Sequence, residues 1–72
     1  MRFPSKELIE SLRKRYPVGA RVVLDHMDDP QAVPAGTIGE IRKVADAGTI
    51  HIVWQTGSTL GLIEGIDSFE VI

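Results

Sequence analysis

Asp25, His26, Asp28 and Asp29 crowd one short stretch, with Met27 among them and Pro30 just after. Carboxylates and an imidazole this close could hold a cation or exchange a proton. A hard cation such as Ca²⁺ asks for six to eight oxygens, and Mg²⁺ for octahedral geometry. This stretch lacks the glycine and the closing bidentate glutamate of a calcium-binding loop. Its residue types suit an Asx-turn instead, with Asp28 or Asp29 bonding backbone amides before Pro30. No metal and no cofactor is expected. His26 and His51 fall on different segments, and neither has a Ser, Cys or Asp partner in a nucleophile motif. Gly36 and Gly39 do not make a phosphate loop, since no Gly-Lys-Ser/Thr follows and no helix opens there. The sequence therefore predicts no catalytic residues and no enzyme.

A second constellation is basic: Arg13, Lys14, Arg15 and Arg21, with Tyr16 between them. Residues 1–21 hold six basic and two acidic residues, residues 22–72 two basic and eight acidic ones, for a net charge of −2. Such a basic head on an acidic body marks a face for a partner, or two halves that attract each other within one molecule. As a nucleic-acid site, Arg13, Lys14, Arg15 and Arg21 supply local cations and one aromatic. Against that stand the acidic body and the four aromatics in all, of which Trp54 and Phe69 read as core.

The elements that must position these groups fit one domain. The chain has 72 residues, 43% of them hydrophobic and none cysteine, so its core has no disulfide or thiolate metal site to supplement it. It contains neither an apolar run long enough to span a membrane nor the apolar stretch of a secretion signal, which predicts a cytoplasmic protein. Residues 1–17 read as a lead-in and short helix, residues 18–72 as β-structure. Ser5 is the expected N-cap, Glu7 lies in the first turn, and Tyr16-Pro17 ends the helix. Lys6, Glu10 and Lys14 follow at spacings of four and can pair along its solvent side. Leu8, Ile9 and Leu12 make one apolar stripe, which docks on the β-structure or on a second copy in a homodimer.

Arg21–Asp25 is the first expected strand, with Val22 and Leu24 inward. His26–Ala35 is a long loop, broken by Pro30 and Pro34. The second strand starts at Gly36. Gly39 suggests a bulge or sharp bend, and the three-residue step from Ile41 to Val44 a second irregularity near Arg42 and Lys43. Ala45–Gly48 turns the chain, with Gly48 at positive φ. The third strand puts Ile50, Ile52 and Trp54 in the core. Thr59–Leu62, with Leu60 and Leu62 inward, is the fourth strand, and Phe69, Val71 and Ile72 belong to the fifth.

Gly19-Ala-Arg-Val22, Pro34-Ala-Gly36-Thr-Ile-Gly39-Glu-Ile41, Ile50-His-Ile52-Val-Trp54, Gly57, Leu60 and Asp67-Ser-Phe69-Glu-Val71 resemble a five-stranded, partly open SH3-like barrel. Tyr16-Pro-Val-Gly19, Met27-Asp-Asp-Pro-Gln-Ala32, Gly48-Thr-Ile50, Gly57-Ser58, Leu60-Gly61 and Gly65-Ile-Asp67 resemble an uncharacterised family of short bacterial proteins found in phages, plasmids and conjugative elements. Gln55-Thr56 departs from that pattern, where Asp-Asn before the glycine is more usual. The resemblance implies a genomic setting and no biochemical activity. The leading expectation is a protein-interaction module that acts through Asp25, His26, Met27, Asp28 and Asp29 and through the barrel edges, antagonising a host nucleic-acid enzyme. The alternative is a nucleic-acid-binding barrel that uses Arg13, Lys14, Arg15 and Arg21.

Overall fold

The computed structural model describes residues 5–72, so Met1–Pro4 of the expected lead-in lie outside the described residues. Helix α1 spans Lys6–Arg15. Its first turn is capped by Ser5, whose Oγ accepts from the Leu8 N–H at 3.2 Å. Glu7 in the first turn and Arg13, Lys14 and Arg15 in the last complement the helix dipole. The Tyr16 N–H donates to the Leu12 carbonyl at 2.8 Å, and Pro17 follows.

Five strands come next: β1 (Arg21–His26), β2 (Ile38–Val44), β3 (Thr49–Trp54), β4 (Leu62–Ile63) and β5 (Ser68–Val71). They form one sheet in the order β4-β3-β2-β1-β5, and every neighbouring pair is antiparallel. This is a partly open SH3-like barrel. Among the described residues no ladder joins the two edge strands, and an isolated bridge pairs Glu64 with Asp67 in the segment between them.

The core draws on three sources. The strands supply Val22, Leu24, Ile41, Val44, Ile50, Ile52, Trp54 and Leu62. Ile9 and Leu12 come from α1, and Met27 and Val33 from the connection between β1 and β2. The expected helix stripe is therefore divided. Ile9 and Leu12 are covered by their own barrel, the first of the two expected alternatives, and Leu8, 45% exposed, is what the stripe leaves for a second copy.

Register explains the rest. Between β2 and β3 it shifts from Ile41↔Ile52 to Lys43↔His51, leaving Arg42 as the extra residue, as the Ile41–Val44 spacing predicts. Gly39 is different from expectation. The ladder runs regularly through it, paired with Val22 on one side and Trp54 on the other. A glycine is needed because a Cβ there would lie 2.8 Å from Cε3 of Trp54 and closer still to Cγ2 of Ile52. Gly48, at φ 93°, takes the positive-φ place in the turn between β2 and β3.

Other boundaries move. The second strand starts at Ile38, because Gly36 and Thr37 bond to both sides of Leu24 from a turn. The fourth is Leu62–Ile63 rather than Thr59–Leu62. Leu60 stays outside the ladder and half-buried, and its carbonyl accepts the Trp54 indole N–H at 2.7 Å. Phe69 is half-buried against the Tyr16 ring, at 5.4 Å between centroids, while Val71 and Ile72 are exposed. No helix among the described residues is long and apolar enough to cross a membrane.

Candidate functional site

The connection between β1 and β2 carries the acidic constellation, and its two ends are pinned. Met27 and Val33 are buried, 8% and 7% exposed, and Ala32 packs against the core beside Val33, so the stretch from Asp28 to Gln31 forms a short exposed arch. Asp28, Asp29, Pro30 and Gln31 are exposed on it. Asp29 Oδ1 accepts from the Gln31 N–H at 2.7 Å, an Asx-turn that wraps around Pro30. A second bond closes the same turn, from the Ala32 N–H to the Asp29 carbonyl at 3.0 Å.

Of the expected partner-binding residues, Asp25, His26, Asp28 and Asp29 are exposed, whereas Met27 is turned into the core and presents no surface. Asp25 occupies the register shift between β1 and β5, and its Oδ2 accepts from the Ser68 hydroxyl at 2.8 Å. Asp25, Ser68, Phe69 and Glu70 line a groove of about 470 Å³ with Ala35 and Gly36. Both titratable side chains of that groove are carboxylates. Among the described residues, no three His, Asp or Glu side chains come together as a metal site would require. His26 and His51 are both exposed.

The basic constellation is dispersed by the fold. Arg15 reaches Glu64 with both guanidinium nitrogens, one of them at 2.8 Å from Oε2. That hydrogen bond raises the Arg15 pKa above its ordinary value. Tyr16 donates its hydroxyl to the same carboxylate at 3.2 Å. The Tyr16 pKa is raised from 10.0, first by burial and then by the Glu64 charge. Arg13 donates to the Val44 carbonyl at 3.0 Å and to Asp46 at 2.9 Å. The expected pairing of Lys6, Glu10 and Lys14 along the helix is absent from the ion pairs among the described residues. The helix arginines pair with the barrel instead, and Arg42 pairs with Glu40. The basic head is thus drawn onto the acidic body of the same chain. Arg21 lies apart on the sheet, opposite Glu40.

Sequence reasoning missed Arg42 and Lys43 as surface chemistry. The signal was present in the broken alternation between Ile41 and Val44, which exposes both residues between two buried ones. No curated protein and no solved structure matches the chain. A family model described as a domain of unknown function, DUF4314, matches residues 5–72, and the chain belongs to that family.

Proposed function

We propose that this protein is a non-enzymatic interaction module that presents its acidic arch and the adjoining sheet edge to a basic surface of a protein partner. One observation carries the reading. Met27 and Val33 are locked in the core while Asp28, Asp29, Pro30 and Gln31 between them face solvent on a turn tied by its own hydrogen bonds. An acidic segment fixed in advance loses little conformational freedom on docking. Asp25 and Glu70 extend the negative surface to β5, an edge strand with no outer partner among the described residues. The partner that fits carries a phosphate-binding groove, as nucleic-acid enzymes do. On this reading the module serves a phage or other mobile element in the cytoplasm by occupying such a groove on a host enzyme.

Affinity capture from a host lysate tests it, with the full chain beside the Asp28→Asn/Asp29→Asn double variant. The amide introduced by Asp29→Asn keeps an acceptor oxygen for the Gln31 N–H, so the change removes charge and preserves the turn. The expected result is a protein retained at low salt by the natural chain and lost by the variant. Identical retention by both chains would reject the acidic arch as the contact.

A further inference from the structure

Arg42 and Lys43 are the two basic residues of the otherwise acidic body, and the bulge in β2 leaves both exposed. The end of α1 and the linker after it lie against them. Arg13, Tyr16, Val18, Arg42, Lys43 and Val44 line a groove of about 360 Å³. No carboxylate is among these lining residues. Arg13 is held in place by Val44 and Asp46, yet its side chain remains 49% exposed and its guanidinium has donors left over. Lys43 makes no ion pair among the described residues. Arg42, bonded to Glu40 at 2.9 Å yet 60% exposed, also lines an adjoining groove of about 310 Å³ with Arg21, where Glu40 is the one acid. Four cations, Arg13, Lys43, Arg42 and Arg21, thus follow one track from the end of α1 across the sheet.

We infer that this track binds single-stranded nucleic acid. The cations take the phosphates, and the apolar side of the groove, with Val18 at 71% exposure, takes the face of a base. Charge complementarity alone admits any polyanion. The apolar wall decides among them. An acidic peptide satisfies the cations and leaves that wall without a counterpart. A duplex keeps its base faces stacked inside and offers the wall only sugar and phosphate. An unpaired strand presents both chemistries, and the arginine forks suit its phosphates. This surface is separate from the acidic arch, so the two readings stand or fall independently.

Fluorescence anisotropy of a labelled oligothymidylate of about 12 nucleotides, titrated with the full chain, tests the inference. Binding is expected with a log–log salt slope of about −2 to −3, which corresponds to about three or four phosphates at roughly 0.7 each. Lys43→Glu and Arg42→Glu each lower the affinity about tenfold or more, with the circular dichroism of the folded chain retained. Asp28→Asn leaves the affinity unchanged or raises it. Absence of binding at about 50 mM salt would overturn the assignment. So would equal binding by both charge-reversed variants, or displacement of the oligonucleotide by a glutamate-rich peptide of equal charge.

Discussion

At Gly39 two side chains of the neighbouring strand lie where a Cβ would go, Trp54 at 2.8 Å and Ile52 nearer still. Both are 1% exposed, so either must shift against its core neighbours to admit the methyl group. Gly39→Ala is therefore expected to destabilise by about 1–3 kcal/mol through overpacking, read as a lower melting temperature by circular dichroism. Tyr16 makes a second prediction at this scale. It is the one tyrosine of the chain, so its phenol titrates alone in an ultraviolet absorbance scan. Burial and Glu64 raise its pKa in the folded state, so the neutral phenol is the form the fold favours. The associated stability is fully present below the unfolded pKa near 10.0 and is lost as pH rises through the higher folded value. Absorbance should place the folded midpoint above 10.0, and Tyr16→Phe should remove this part of the alkaline decline while losing the bond to Glu64.

Helix α1 shows what an element adds to its residues. A ten-residue helix is too short to persist alone in water, so its stability comes from docking. Leu12 is 3% exposed and Leu8 45%. Leu12→Ala is expected to cost about 2–5 kcal/mol in a denaturant melt, and Leu8→Ala within about 0.5 kcal/mol. An equal loss from both would mean that the helix packs through a different face. The strands show how far local pattern reaches. Ile50, Ile52 and Trp54 alternate cleanly, and their burial was legible because a two-residue period leaves no other inward set. The break between Ile41 and Val44 was legible as a bulge for the same reason. Leu60 and Leu62 alternate equally well, yet only Leu62 joins a ladder. Leu60 lies in the irregular stretch before β4, held by the Trp54 indole through a side-chain bond that no local spacing announces. Met27 and Val33 were illegible too, because a loop has no period and their burial depends on elements distant in sequence. The basic track needs α1 beside the end of β2, so its members are scattered from Arg13 to Lys43 in the chain.

For the whole molecule, the placement of α1 decides the oligomeric prediction. Two of the three stripe residues are covered internally, and Arg13 and Arg15 tie the helix to Asp46 after β2 and to Glu64 after β4. The full chain is expected to sediment as a monomer, with Leu8→Ala sedimenting identically. A dimer abolished by Leu8→Ala would show that the helix still offers a shared face. The division of charge has a similar logic. The acidic arch lies between β1 and β2, at the start of β2, while Arg42 and Lys43 stand near its other end. One bent hairpin thus separates opposite charges by most of a strand length. Within so small a domain that arrangement leaves room for two dissimilar contacts at once.

Trp54 is 1% exposed, with its indole nitrogen bound to Leu60, and it lies at the wall of the groove that Arg21 and Arg42 share. It is the sole tryptophan of the chain. The molecule therefore carries an internal fluorescent gauge that reads the integrity of the barrel. A ligand settling on the arch should leave its emission colour where it was, whereas a large red shift would report that the protein has come apart around it.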